Sequence, residues 1–170
     1  MTQILKGTSK IFIIITILFV AGCSKVEKTD NTGRSKAYNF AMMDLNGKMY
    51  HLSDFKGKVV ILDFWDTWCP PCKAEIPHFI ELNNEYKDKD FVMIGAAGAR
   101  YGEEAVRQFV QEWKMNYLNL IANEEAFRGY GDISSIPTTF VIDQYGMIYK
   151  KYVGYKPKEV FEQDIKDLIK

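Results

Sequence analysis

The sequence has few of the side chains that bind metal ions. Its 170 residues include three cysteines and two histidines, His51 and His78. A structural zinc ion takes four sulfur or imidazole ligands, so a zinc site is not expected, and we predict no metal and no other cofactor. We interpret both histidines and the Met42–Met43 pair as packing or surface residues.

Net charge is also lacking. The 22 lysines and arginines balance 22 aspartates and glutamates, and no basic tract is present. Binding to DNA or RNA depends on clustered positive charge, so a nucleic-acid partner is not expected. No internal repeats occur, and 47% hydrophobic with 26% charged residues is typical of a single globular domain.

The apolar run near the N-terminus is too short to cross a membrane. Ile11–Val20 would reach about 15 Å as a helix, roughly half of a hydrocarbon core. Lys6 and Lys10 precede it, so it predicts a secretory signal. The segment Val20-Ala21-Gly22-Cys23 resembles the bacterial lipobox, in which the cysteine becomes lipidated. The alternative is a plain signal peptide with an incidental cysteine.

We therefore predict three regions. Residues 1–22 form a lipoprotein signal peptide that is removed, residues 23–37 a lipidated Cys23 with a polar tether, and residues 38–170 a folded domain. This places the protein outside the cytoplasm, anchored by lipid to a bacterial membrane. If Cys23 carries lipid, Cys69 and Cys72 can pair only with each other, and an oxidising compartment suits such a pair.

Hydrophobic patterning within the domain predicts an α/β fold. Extended stretches on both sides of Asn46-Gly47 predict an N-terminal β-hairpin. The remaining segments predict a central mixed β-sheet with helices on both faces and a central βα insert. The predicted strands are Val59–Trp65, Phe91–Ala97, Tyr117–Ile121, Thr138–Ile142 and Ile148–Val153; the predicted helices end near Lys87, Lys114, Tyr130 and Lys170.

The segment Trp68-Cys69-Pro70-Pro71-Cys72 follows a predicted buried strand and opens a predicted helix. Unpaired N–H groups and the positive end of the peptide dipoles at a helix start favour a thiolate, which is the form that attacks disulfides. We predict that Cys69, facing solvent, is the nucleophile and that Cys72 is the resolving thiol. The alternative is a structural disulfide, but so small a loop removes little entropy from the unfolded chain.

The segment Asp63–Pro77 resembles the active-site segment of the thioredoxin superfamily, most closely the membrane-tethered extracytoplasmic branch of TlpA, ResA and CcmG type. Ser135–Phe140, with its Ile-Pro-Thr-Thr-Phe sequence, resembles the cis-proline loop of that family. The N-terminal hairpin and the insert around residues 99–130 also match this branch. The resemblance covers nearly all of the predicted domain and implies a thioredoxin-like fold with thiol-disulfide oxidoreductase activity.

The resemblance implies roles for two acidic residues. Asp63 would be a buried acid that moves a proton to or from Cys72, the alternative being an exposed aspartate at a strand end. Because the strand Phe91–Ala97 has no lysine to supply a counter-charge, we predict a raised pKa for Asp63. Glu75 would tune the thiols or orient a partner, although a glutamate near a helix start is favourable on the surface as well.

The resemblance also implies a substrate-binding edge beside the cysteines. Pro137 would carry a cis peptide bond that presents backbone groups to an extended substrate chain; the alternative is a trans proline that opens a strand. The predicted substrate-contact residues are Trp68, Pro70, Pro71, Ile136 and Pro137.

The predicted function is reduction of disulfides in exported proteins, including those of cytochrome c maturation, by a monomer that an upstream membrane thiol reductant re-reduces. Proteins of this fold range from reductants to oxidants, so a disulfide oxidase or isomerase is an alternative. A second alternative is a copper-handling lipoprotein that uses the cysteine pair with a histidine. Peroxidase activity is set aside because Leu62 and Asp66 stand where it requires proline and threonine.

Overall fold

The computed structural model describes residues 33–169, so the predicted signal peptide and the lipidation at Cys23 lie outside the described residues. A single seven-stranded sheet has the strand order β2-β1-β5-β4-β3-β6-β7. The strands are β1 Ala41–Asp44, β2 Met49–His51, β3 Val59–Trp65, β4 Phe91–Ala97, β5 Leu118–Ile121, β6 Thr138–Ile142 and β7 Ile148–Val153. The helices are α1 Pro70–Tyr86, α2 Glu103–Glu112, α3 Glu124–Gly129 and α4 Lys158–Leu168, with a short 3₁₀ helix at Leu52–Phe55.

The sheet is mixed, as predicted. The three central strands β3, β4 and β5 pair in parallel, whereas β1 with β2, β1 with β5, β3 with β6, and β6 with β7 are antiparallel. The N-terminal hairpin is confirmed, with Met42 opposite Tyr50 across the turn. The predicted insert is confirmed as α2, β5 and α3 between β4 and β6.

Side chains alternate across β3 and divide the core into two layers. Val59, Ile61 and Trp65 pack in one cluster with the inner faces of α1, α2 and α4. Val60, Leu62 and Phe64 pack in a second cluster with α3 and the N-terminal segment. Helices therefore cover both faces of the sheet, as predicted. The alternation places the side chain of Asp63 on the α1 side of the sheet.

The backbone is hydrogen-bonded to the sheet region before residue 38, the predicted start of the folded domain. The Ile148 N–H donates a hydrogen bond of 2.9 Å to the Ser35 carbonyl, the Ala37 N–H donates one of 2.9 Å to the Gly146 carbonyl, and Ala37 is buried. Both residues fall within the predicted tether, residues 23–37, because that segment is polar and charged. Their partners lie more than 100 positions further along the chain, so local composition carries no sign of this contact.

Candidate active site

Four connecting segments meet at one end of the sheet. The parallel strands β3 and β4 both end there. The antiparallel strand β6 begins there, with Thr138 opposite Phe64, and β7 ends there, with Val153 opposite Thr138. Residues 66–69, 98–102, 134–137 and 154–157 therefore lie together, at the carboxyl ends of parallel strands where α/β sheets place their sites.

Cys69 and Cys72 form a disulfide at this end. Cys69 is the N-cap of α1, and its sulfur accepts a hydrogen bond of 3.2 Å from the Cys72 N–H. Pro70 and Pro71 occupy the first turn, where a missing N–H leaves no hydrogen bond unmade. In the reduced protein the same N–H group and the helix dipole favour a thiolate on Cys69.

The structure corrects the expected exposure of Cys69. Its residue surface is 2% exposed, and Cys72 is 1% exposed, so neither sulfur faces solvent in the oxidised state. The loop before β6 brings the Ile136 carbonyl oxygen to 3.7 Å from Cys69 Sγ, a long-range contact that the position of Cys69 at a helix start does not reveal. The side chain of Trp68, next to the disulfide, is 42% exposed.

The loop opposite the sulfurs is held by the strands on either side of it. The Ile136–Pro137 peptide bond is cis, as the resemblance implies. Thr138 Oγ1 donates a hydrogen bond of 2.7 Å to the Ser135 carbonyl, and the Gly154 N–H donates one of 2.8 Å to the Pro137 carbonyl. The backbone at Ile136 is thereby presented to the disulfide and to any chain that binds beside it.

Asp63 is buried on the α1 side of β3, so the alternative of an exposed strand-end aspartate is wrong. Its Oδ1 accepts a hydrogen bond of 3.0 Å from Thr139 Oγ1. Burial raises the pKa of Asp63 well above its ordinary value, the charge of Glu75 raises it further, and the Thr139 hydroxyl lowers it. The raised pKa predicted from the sequence is confirmed.

The absence of a lysine on β4 has a steric reason at the position opposite Asp63. Gly95 pairs with Asp63 across the two parallel strands. A Cβ atom at Gly95 would lie 2.8 Å from Asn119 Oδ1 and 2.8 Å from Trp65 Nε1, closer than such atoms approach one another. No side chain is accommodated there without displacing these groups, so Asp63 stays without a counter-charge from this position.

Glu75 is fully buried, so it is not a surface charge. One carboxylate oxygen accepts a hydrogen bond of 2.5 Å from the Lys156 N–H, and the other has no partner among the described residues. Burial raises the pKa of Glu75 to about 7, while the Lys156 N–H and the Lys156 charge act in the opposite direction. Asp63 and Glu75 are thus two buried acids that interact electrostatically, and each has a raised pKa.

Three contacts of the site are not evident from the sequence. Thr139 donates to Asp63, Lys156 donates to Glu75, and Arg100 lies over the ring of Trp68 at 5.3 Å. The only available signal concerns Arg100: it follows β4 closely, and the loop after β4 must lie beside the loop after the neighbouring parallel strand β3.

The two histidines and the Met42–Met43 pair are predicted to be packing or surface residues. His51 is exposed near Asp54, and the half-buried His78 contacts the Tyr155 ring at 5.8 Å. Met42 is buried and Met43 exposed. Within residues 33–169 no three His, Cys, Asp or Glu side chains come together in a group that could hold a metal ion.

Comparison with known proteins agrees with this geometry. The family model described as Redoxin matches residues 32–169. The chain belongs to the Redoxin family. This Redoxin protein is 35% identical to the thiol-disulfide oxidoreductase ResA of Bacillus cereus, over 96% of this chain and 99% of the relative. It is 32% identical to ResA of Bacillus subtilis, over 98% of this chain and 97% of the relative.

A solved structure shares the fold of this Redoxin protein. The thiol:disulfide interchange protein of the thioredoxin family from Chlorobium tepidum superposes with a TM-score of 0.73 at 29% identity, over 79% of this chain and 96% of that one. The thioredoxin-like fold is confirmed, and the protein is a thiol-disulfide oxidoreductase. No helix within the described residues of this Redoxin protein has the length and hydrophobicity needed to cross a membrane.

Proposed function

We propose that this protein is a lipid-anchored, extracytoplasmic reductase that transfers electrons to disulfides of exported proteins, apocytochromes c among them. The observation that carries the proposal is the Cys69–Cys72 disulfide at the start of α1, next to the Ile136 carbonyl. The buried acids Asp63 and Glu75 support it. The reductase acts as a monomer and receives its electrons from a thiol reductant of the membrane.

The reaction starts from the reduced protein. The Cys69 thiolate attacks one sulfur of a substrate disulfide, the substrate S–S bond breaks, and the second substrate sulfur leaves as a thiolate that takes a proton. Cys69 is then joined to the substrate. The Cys72 thiolate attacks Cys69 Sγ, forms the Cys69–Cys72 bond and releases the first substrate sulfur, so that two electrons pass from the protein to the substrate.

The second step would be assisted by Asp63. Cys72 is buried, and a thiol in such surroundings loses its proton with difficulty. The carboxylate of Asp63 has a raised pKa, so it accepts a proton more readily than an ordinary aspartate does. Transfer of the Cys72 proton to Asp63 generates the resolving thiolate, and the reverse transfer accompanies re-reduction of the disulfide.

The two acids also support reduction over oxidation. A strongly oxidising member of this fold is one whose reduced form is stabilised, which requires a favoured thiolate. Negative charge on Asp63 and Glu75 disfavours a thiolate nearby, and Glu75 follows Cys72 by one helical turn. We therefore expect a reduction potential nearer to about −270 mV, as in thioredoxin, than to about −120 mV, as in DsbA.

Equilibration with glutathione or dithiothreitol buffers measures this potential. A value near the oxidising end of the range would contradict the reductase assignment, and failure of the reduced protein to cleave insulin disulfides would contradict the activity altogether. The Cys72→Ser variant should retain substrates as mixed disulfides on Cys69, because the resolving thiol is missing. The double variant Cys69→Ser/Cys72→Ser is the matched control and should retain none.

The lipid anchor is a separate part of the proposal and rests on the N-terminal sequence alone. The apolar run Ile11–Val20 and the cysteine in Val20-Ala21-Gly22-Cys23 support it. In a bacterial host, labelled palmitate should enter the wild-type protein and be absent from the Cys23→Ala variant. Equal labelling of both proteins would exclude Cys23 as the lipidated residue and leave the redox chemistry untouched.

A further inference from the structure

A groove opens beside the disulfide. It has a volume of about 470 Å³ and is lined by residues from the ends of β3 and β4, from α3 and from the loop before β6. Trp68, next to Cys69, forms one wall, and Ile136, whose carbonyl faces Cys69 Sγ, forms another. Phe127 and Ile133 add apolar surface. A chain bound in this groove would therefore lie next to the reacting sulfur.

Arg100 provides the positive charge of the groove, and its backbone is held in place. The Arg100 N–H donates a hydrogen bond of 3.0 Å to Asp66 Oδ2, and Ala99 before it adopts a left-handed conformation with φ of 51°. A non-glycine residue in that region is strained and persists only where its surroundings impose it. The guanidinium group lies 5.3 Å from the centre of the Trp68 ring, a cation–π distance.

The guanidinium of Arg100 has no carboxylate within salt-bridge distance among residues 33–169. Among the described residues that line the groove, Asp66 is the one that is acidic. Asp66 is buried, and its two oxygens accept hydrogen bonds from the Thr67 and Arg100 N–H groups. Apart from Ser134 and Ser135, the described residues that line the groove are therefore mainly apolar, and Arg100 supplies its cation.

We propose that this groove binds the chain segment next to the reactive cysteine of a disulfide substrate, and that Arg100 selects substrates with an acidic side chain in that segment. The inference rests on the proposed function, because it requires a polypeptide disulfide as substrate. The planar guanidinium pairs with a carboxylate through two parallel hydrogen bonds. Stacking on Trp68 fixes its orientation before the substrate arrives, which lowers the entropy lost on binding.

The test compares three synthetic peptides that share one intramolecular disulfide and differ at the positions two residues before and two residues after one cysteine. Those positions carry Glu, Gln or Lys. The fully reduced protein is mixed with each peptide, and its conversion to the Cys69–Cys72 disulfide is followed in single turnovers. At low ionic strength the second-order rate constant should be roughly three- to tenfold higher for the Glu peptide than for the Lys peptide. The difference should lie in the peptide concentration at half-saturation.

Variants distinguish recognition of substrate charge by Arg100 from a purely structural role of this residue. Arg100→Glu should invert the ratio of the Glu and Lys rate constants, and Arg100→Lys should keep the preference for Glu with a smaller ratio. Arg107→Glu makes the same charge change on α2, where Arg107 lies near Glu104 and outside the groove, and should leave the ratio as in the wild type. Inversion in Arg107→Glu, or an unchanged ratio in Arg100→Glu, would overturn the inference.

The outcomes also distinguish this inference from the proposed function. Equal reduction of all three peptides by the wild-type protein would overturn the role of Arg100 and leave the reductase assignment standing. Failure to reduce any peptide or insulin would overturn both. A loss of folding in Arg100→Glu would be visible by circular dichroism. The ratio of the Glu and Lys rate constants in the Arg100→Lys variant would then test the inference.

Discussion

The buried Glu75 carboxylate and the backbone N–H of Lys156 form a 2.5 Å hydrogen bond between residues 81 positions apart. This bond joins α1, one turn after Cys72, to the connection between β7 and α4. The carboxyl group that accepts it has a pKa of about 7. The charge on Glu75, one helical turn after Cys72, therefore changes near neutral pH.

The first prediction concerns the pH dependence of stability. The pKa of Glu75 is raised from 4.5 to about 7 by folding, so the folded state binds this proton more tightly than the unfolded chain. The stabilisation is fully present below about pH 4.5 and is lost as the pH rises through about 7. Between pH 4 and pH 8 the Glu75→Gln variant should gain stability relative to the wild type, by up to roughly 3 kcal/mol.

Urea unfolding of the oxidised proteins across that pH range measures the difference. The exposed Glu112 supplies a matched control, because Glu112→Gln should follow the wild-type curve. A constant difference between Glu75→Gln and the wild type at all pH values would show that Glu75 does not titrate in this window.

The second prediction concerns the coupling between the two acids. Negative charge on Glu75 contributes to the raised pKa of Asp63, so replacing Glu75 with glutamine should move the Asp63 titration to lower pH. Burial is the larger cause, and the pKa should therefore stay above its ordinary value in the variant. Carboxyl ¹³C chemical shifts of Asp63 across pH report both effects. An unchanged midpoint would mean that the two carboxylates do not interact.

The third prediction concerns the resolving step. The Asp63→Asn variant keeps a hydrogen-bond acceptor for Thr139 but cannot take a proton from Cys72, so release of the substrate should slow on the order of 10²-fold. The mixed disulfide on Cys69 should accumulate in acid-quenched samples on non-reducing gels. The exposed Asp54 gives the control Asp54→Asn, in which no intermediate should build up. Wild-type release in Asp63→Asn would remove Asp63 from the mechanism.

The fourth prediction concerns the packing of α4 on the sheet edge. Asp164 is buried, and its oxygens accept hydrogen bonds of 2.5 Å from Lys150 Nζ and 2.7 Å from the Tyr152 hydroxyl. Asp164→Ala leaves the half-buried tyrosine hydroxyl without its acceptor and should cost about 2 kcal/mol of unfolding free energy. Asp167→Ala, on the exposed side of α4, should change it by less than about 0.5 kcal/mol. Equal urea midpoints for the two variants would contradict this role of Asp164.

Continuous apolar segments were the most predictable part of the fold. Val59–Trp65 and Phe91–Ala97 were predicted as buried strands and are β3 and β4 with the same bounds, because strands covered on both faces have apolar residues at nearly every position. The start of α1 is also predictable from sequence, because the segment follows a buried apolar strand and Pro71 suits the first turn of a helix.

The burial of the site residues is harder to predict from the sequence. The sequence predicts that Cys69 faces solvent and leaves a surface role open for Glu75, yet both residues are buried. The groups that bury or bind them, Ile136 and Lys156, come from the other end of the domain. A periodic pattern shows which face of an element is apolar, but not which distant loop lies over it.

The sequence by itself determined that two thiols stand one helical turn apart after a buried strand, because that relation depends on local spacing alone. It also determined the order of strands and helices, which follows from the period of the apolar residues. Only the tertiary structure decided that Asp63 and Glu75 are both buried and interact, and that Arg100 lies over the ring of Trp68 in a groove beside the disulfide. Those relations depend on strand order and register, which bring distant residues to one end of the sheet.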